Sequence, residues 1–380
     1  MGTLGAGAAF ALCWSLQLPP AMSLPMLLVC GAAPMWWLEG RRDCTQAEGR
    51  TERAAFRDWV LGALAVVTLV AASTAAQLNW GGAKTRMMLD VLPAIAGAVV
   101  LMLVISWRDW RAGLPEAVSS LGTILRKRSV ASEGALTVLL GWCVKAVFVP
   151  LMLVWCHVWL ALAVQASIVP TVLGGFMVVV AFLYAIDTCF AVIGYVNTSA
   201  RIAAQIRSVD QTWLGWLSAL VCYPPLSVLV LDTWLVYKTS EDWLHWFARF
   251  PTFGTFWGFL VVLTTGIYVW ATVVFGPRFS NLTYRGLITA GPYRFVRHPA
   301  YLSKNLSWWL IFTPFLSSQG WRVAVTHSLA LLAINGIYWL RARTEERHLL
   351  RYPEYRAYVD WIRRNGVWAS LMGRRGREMA

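Results

Sequence analysis

Eight apolar runs, each about the ~20 residues that cross a bilayer as a helix, constrain this chain more than any other feature. They cover 59–79, 88–107, 135–163, 170–196, 213–236, 255–275, 301–317 and 321–342. Residues 1–38 are apolar as well but are broken by Pro19-Pro20, which gives two short spans or one longer one. The expected fold is therefore an all-α polytopic integral membrane helix bundle with ten spans, or nine. Of the residues, 58% are hydrophobic and 14% charged, where a soluble domain carries about 25% charge. That balance excludes a disordered chain, a coiled coil and a soluble α/β enzyme. No Lys or Arg precedes the first apolar run, so a cleavable signal peptide is not expected there.

The net charge is +14. A nucleic-acid binder would gather its basic residues on a soluble module; here they lie in short loops between apolar runs, so no nucleic-acid partner is expected. The connections 39–58, 108–134, 197–212 and 276–300, with the tail 341–380, hold 26 of the 33 Lys and Arg, and the opposite set holds 4. Basic loops stay on the cytoplasmic side. The lopsided count makes the first set cytoplasmic, and ten spans would place both termini there. The expected location is the bilayer of a bacterial inner (plasma) membrane. Many of the 23 Trp, such as Trp36-Trp37, Trp107, Trp110 and Trp308-Trp309, suit an interfacial belt. The basic segment Gly373–Arg377 reads as a tail near anionic lipid. The seven Cys form no CxxC pair and the five His do not pair at metal spacing, so no metal site is expected.

GxGxxG after a strand, GxxxxGK[ST], HExxH and GxSxG are all absent. Polar residues gather instead in 276–305 and 341–360. The first stretch includes Gly291-Pro292-Tyr293-Arg294 and Arg297-His298-Pro299-Ala300-Tyr301, then Ser303, Lys304 and Asn305. Pro299 suits the first turn of a helix. The second stretch, Arg341-Ala342-Arg343-Thr344-Glu345-Glu346-Arg347-His348, continues the last span. Spans 301–317 and 321–342 form a hairpin with about three linking residues, so their cytoplasmic ends are neighbours. Two carboxylates, several arginines, a histidine and tyrosines are thereby expected around one small cytoplasmic volume, with 276–305 packed on 341–360.

These residues resemble a family. Gly-Pro-Tyr-Arg-x-x-Arg-His-Pro-x-Tyr, a span hairpin, then Arg-Thr-Glu-Glu and Tyr-x-Glu-Tyr look like the isoprenylcysteine carboxyl methyltransferase family; phospholipid N-methyltransferases share the outline. The resemblance covers about 255–365. It implies an S-adenosyl-L-methionine cofactor at the cytoplasmic mouth. The matching positions for cofactor binding are Gly291, Pro292, Tyr293, Arg297, His298, Pro299, Tyr301, Glu345 and Glu346. Arg343 matches an arginine that orients an acceptor carboxylate, and Asn305 is placed with it on the acceptor side. The acceptor is then a lipophilic molecule or lipid, methylated on a carboxylate oxygen, with an amine or thiol as alternatives.

Two other classes compete. Sterol-type membrane reductases share a similar outline but use NADPH; His298-Pro299-Ala300-Tyr301 and the double glutamate favour the methyltransferase. A transporter is suggested by ten spans and by Lys145 and Asp187, which lie at matching depth in sequential spans and are expected to pair. No pair of Gly/Pro-broken spans repeats in two halves, which counts against that plan. The chain is accordingly divided into a membrane extension at 1–250, a methyltransferase-like core at 255–365 and a basic tail at 366–380.

Overall fold

The computed structural model describes residues 2–16, 20–39, 54–80, 87–128, 130, 132–167, 171–238, 241–367 and 369. The Gly373–Arg377 segment and Cys44 lie outside the described residues. In chain order the helices are α1 (Gly2–Ser15), α2 (Pro20–Glu39), α3 (Phe56–Trp80), α4 (Leu92–Arg111), α5 (Ala117–Lys127), α6 (Glu133–Ser167) and α7 (Val172–Val196). There follow α8 (Trp213–Leu220), α9 (Leu226–Trp234), α10 (Trp243–Phe247), α11 (Pro251–Val273), α12 (Pro299–Phe312), α13 (Trp321–Leu349) and α14 (Pro353–Asn365). The two strands β1 (Ser208–Val209) and β2 (Thr283–Tyr284) make one short antiparallel pair, Ser208 opposite Tyr284.

Among the described residues six helices, α3, α4, α6, α7, α11 and α13, are long and apolar enough to cross a membrane. The run 213–236 is interrupted, and its helices α8 and α9 are separated by a turn carrying Pro224-Pro225. Proline removes a helical donor and crowds the preceding turn, so an apolar run of spanning length yields two short helices here. The run 301–317 is shorter too. Thr313 takes a left-handed conformation (φ 41°) after Phe312, and Pro314 follows.

The chain packs as two compact units. The first holds Met1–Gln165, Tyr184–Gln211 and Phe275–Gly286. Within it, α3 and α5 cross at two glycines. A Cβ on Gly62 would lie 1.9 Å from the Val118 carbonyl oxygen, and one on Gly122 1.8 Å from that of Asp58. The backbones meet because neither residue has a side chain. The buried Asp58 fixes the crossing by accepting from Arg126 Nε (2.6 Å) and Nη2 (3.0 Å) and from Thr123 (3.0 Å). The guanidinium fork is bidentate, the geometry that holds a carboxylate best. Glu116 caps α5, accepting from the Val118 and Ser119 amides at 2.7 Å.

Residues 275–286 are tied down by Arg285. It is buried and donates to the carbonyls of Gly194, Asn197, Ala204 and Phe279. Their negative ends replace the counter-ion that a buried arginine otherwise needs.

The expected Lys145–Asp187 pair does not form, for a reason of register. Lys145 donates to Thr198 Oγ1 at 2.6 Å and lies 4.0 Å over the Trp142 ring. Farther along the same two helices, Cys156 Sγ faces the Ala185 carbonyl at 3.6 Å. Asp187 therefore stands level with Cys156, eleven residues back along the chain from Thr198, or about 16 Å of helical rise. The first three turns of α6 project past the end of α7, which the similar lengths of the two apolar runs conceal.

The second unit holds Ala166–Leu183, Thr212–Val274 and Leu287–Ala380. Its helices α11 and α12 lie side by side, with Trp257 Nε1 donating to the Leu310 carbonyl at 2.8 Å. Leu231, Tyr237, Ala330, Leu331, Ile334 and Tyr338 form a buried apolar cluster against which Tyr301, Trp308 and Phe312 pack. A second cluster, Tyr355, Tyr358, Val359 and Ile362, gathers Leu287, Leu349 and Tyr352 around α14. Of the segment 276–305, only the part from Leu287 onward belongs to this unit.

Candidate active site

The site is built where α12 begins and α13 ends. Its first wall is the turn Gly291–Arg294, in which Pro292 and Tyr293 are buried. Gly291 has φ +58°, and a Cβ there would lie 2.7 Å from Val274 Cγ2 and 3.1 Å from Trp270 Nε1. Both the left-handed backbone and the close approach require glycine. From behind, α14 holds this turn: Tyr358 donates its hydroxyl to the Tyr293 carbonyl at 2.7 Å, and the Val367 amide donates to the Phe295 carbonyl at 3.1 Å. Burial raises the Tyr293 hydroxyl well above its ordinary pKa and pushes Tyr358 up to about 12, so both stay protonated donors.

His298 is the residue before α12, and Pro299 fills the first helical turn, where a missing N–H costs nothing. The His298 ring stacks on Tyr301 with centroids 5.8 Å apart and planes at 20°. Although the residue is only partly buried, its Nε2 is enclosed and has no hydrogen-bond partner among the described residues. Burial lowers the pKa of His298, outweighing the opposite pull of Glu345 and Glu346. The imidazole is therefore neutral at pH 7, with one ring nitrogen a donor and the other an acceptor.

Two pairs join α12 and its preceding loop to α13. Tyr301 donates its hydroxyl to Glu345 Oε2 at 2.8 Å. Arg297 forms an ion pair with Glu346 Oε1, and Arg343 approaches Glu346 Oε2 at 3.8 Å. Glu346 is buried at 7% exposure, so the charge of Arg297 supplies what burial takes away. Glu345 spends one oxygen on Tyr301, and its Oε1 makes no hydrogen bond among the described residues.

Of the residues expected from sequence, Arg297, His298, Tyr301, Glu345 and Glu346 are brought together by these contacts, Tyr293 lies within electrostatic reach of Glu345, and Gly291, Pro292 and Pro299 shape the backbone that carries them. Arg343 stands at the rim. Its side chain is 61% exposed and its guanidinium lies 5.3 Å over the Trp339 ring. Asn305 follows Tyr301 by one helical turn and carries a buried Oδ1 without a partner among the described residues.

The sequence reading missed what lies behind Tyr301. Arg341 is 7% exposed, its guanidinium 5.5 Å from the Tyr301 ring, 5.7 Å from Tyr223 and 6.0 Å from Tyr338. Lys304 lies over Tyr268, Trp308 and Tyr338. The spacing of Tyr338 and Arg341, three residues apart on a helix, was the available signal: such residues share a face.

Residues 250–351 match the isoprenylcysteine carboxyl methyltransferase family. The match runs from the start of α11 to just past α13, so it includes both cross-helix pairs and ends before α14. No curated protein and no solved structure matches the chain. The C-terminal part thus resembles the isoprenylcysteine carboxyl methyltransferase family, and among the described residues of the chain six helices are long and apolar enough to cross a membrane.

Proposed function

We propose that the protein transfers a methyl group from S-adenosyl-L-methionine to a lipophilic acceptor, on a carboxylate oxygen, at the cytoplasmic face of the membrane. The observation that carries this reading is the double link Tyr301–Glu345 and Arg297–Glu346, which joins the Arg-His-Pro-x-Tyr and Arg-Thr-Glu-Glu segments into one polar cluster inside the family-matched region. The basic residues of 276–300 and 341–380, the segments that carry this cluster, support the cytoplasmic placement. In this reading 255–365 is the core and 1–250 an extension.

The residues present suit the cofactor. It carries an ammonium, two ribose hydroxyls, a carboxylate and a sulfonium. The unengaged Glu345 Oε1 suits the ammonium or a hydroxyl, and Glu346 adds negative charge beside it. The enclosed His298 Nε2 offers a polar group with no competing partner among the described residues. Arg297 suits a carboxylate, and the rings of Tyr293, His298 and Tyr301 give flat walls for adenine and the sulfonium. When bound, the cofactor supplies a methyl group that passes to the acceptor oxygen with a neutral thioether leaving.

The chain's own contribution is alignment, which methyl transfer needs more than acid–base help. Arg343 at the rim orients the acceptor carboxylate with its planar fork, and Asn305 Oδ1 accepts from a donor on the acceptor. The surrounding aromatic and apolar side chains exclude water, which favours a reaction in which opposite charges disappear. The test is calorimetric titration of the purified protein with S-adenosylhomocysteine and with NADPH, followed by methyl transfer to N-acetyl-S-farnesylcysteine. Binding of NADPH without S-adenosylhomocysteine would replace this reading with the reductase.

A further inference from the structure

We propose that Lys304 selects an acceptor with a negatively charged head, acting at the site just read as a methyltransferase site and resting on that reading. Lys304 lies one helical turn past Ala300 on α12. Its ammonium stands 5.0 Å from the ring centre of Tyr268, 5.3 Å from Trp308 and 5.5 Å from Tyr338. The rings come from α11, α12 and α13, so the cage is a feature of three helices packed together. Rings attract an ammonium by their electron-rich faces, but they leave its three N–H donors without proper acceptors. Among the described residues nothing accepts a hydrogen bond from Lys304, and no carboxylate pairs with it.

The neighbouring charge has the same sign. Arg341 lies against the same Tyr338 ring, 6.0 Å from its centre. Of the carboxylates closest in the chain, Glu345 accepts from Tyr301 and Glu346 pairs with Arg297 and Arg343, and neither forms an ion pair with Lys304 among the described residues. Two cations thus lie against one tyrosine, in helices that bury apolar surface. Ionisable groups at such a place are costly and are matched by opposite charge. An anionic head entering here gives Lys304 a hydrogen-bonding partner and offsets its charge. An amine head would be pressed against it. An aromatic cage alone would suit a methylated ammonium, but here the chain's own lysine fills it. The cage therefore presents a cation to a ligand instead of receiving one.

The experiment uses full-length protein in detergent and measures S-adenosylhomocysteine affinity first. Equilibrium affinities follow for N-acetyl-S-farnesylcysteine, its methyl ester and S-farnesylcysteamine, which share a tail and differ in head charge. Wild type is expected to favour the carboxylate over the ester by roughly tenfold or more, the scale of one charge-assisted hydrogen bond. Lys304→Gln should abolish that preference while keeping ester and S-adenosylhomocysteine affinities; Lys304→Arg should keep it. Equal affinity of wild type for all three heads overturns the proposal without any variant. So does a carboxylate preference that survives in Lys304→Gln with S-adenosylhomocysteine binding intact. If Lys304→Gln fails to fold, Lys304→Met, which keeps a straight chain in the cage, takes its place under the same criterion. Absence of S-adenosylhomocysteine binding in wild type removes the methyltransferase reading instead.

Discussion

The hydroxyl of Tyr301 reaches Glu345 Oε2 at 2.8 Å, so a ring on α12 holds one carboxylate of α13 in place while leaving the other oxygen of that carboxylate open. Tyr301 also packs on Tyr338, with ring centres 5.9 Å apart. Tyr301→Phe keeps this packing and removes only the hydroxyl. S-adenosylhomocysteine affinity should fall about tenfold, the low end of the 1.5–3 kcal/mol expected of a hydrogen bond to a charged group. Calorimetric titration checks it; unchanged affinity would make the bond a helix staple only.

Glu346 and Arg343 should separate cleanly. Glu346→Ala leaves Arg297 without its partner, but that side chain is 34% exposed and water shares the cost. A loss of about 1–2 kcal/mol in stability is expected, less than for a fully buried pair. Arg343 is 61% exposed and its contact with Glu346 is long, so Arg343→Lys should change stability by under ~0.5 kcal/mol. Its turnover should still drop 10- to 100-fold, because misplacing a reactant by ~1 Å costs about that much. Wild-type turnover in Arg343→Lys would remove the acceptor-aligning role.

Gly291 is a point of backbone constraint. Gly291→Ala would put a methyl group 2.7 Å from Val274 Cγ2 on a left-handed backbone. Strain and overpacking together should cost about 2–4 kcal/mol. A lower apparent unfolding temperature and reduced cofactor affinity should appear together, since the same turn carries Tyr293. Wild-type thermal stability would show that the turn relaxes.

His298 gives a pH signature with a defined sign. Its folded pKa lies below the ordinary ~6.5 because burial disfavours the cation. The unfolded chain therefore binds the proton first, and stability falls as pH drops below about 6.5 toward the folded value. Above that point the contribution is fully present. Unfolding temperatures recorded from pH 7.5 to 5.5 should decline more steeply in wild type than in His298→Asn. Parallel curves would assign the slope to other groups.

Much of this was legible in the chain. Long uninterrupted apolar runs became long helices, as at Phe56–Trp80 and Trp321–Leu349, because length and apolarity decide spanning without tertiary help. The meeting of the Arg297–Tyr301 and Glu345–Glu346 segments was legible because the short connection between their spans forces it. Three things were not. The Pro224-Pro225 break was visible but read through, since hydropathy averages over it. The Lys145 level depends on how far α6 projects past α7, which no residue count reveals. The burial of Arg341 and the caging of Lys304 depend on the rotation of three helices about their axes. An arginine in a basic connection looks the same in sequence whether it faces lipid phosphate or three tyrosines.

The hydrogen bond from Tyr358 to the Tyr293 carbonyl has a consequence in time. Every motif residue, from Gly291 to Glu346, leaves the ribosome before Tyr358 does, and α14 is synthesised after all of them. The spans can be inserted and paired while the turn at 291–294 still lacks its backing. A nascent chain would then hold each side chain of the cluster in sequence, yet gain the backing of this turn only once α14 has emerged. A proteolytic cut ahead of Tyr358 would return a finished protein to that earlier stage.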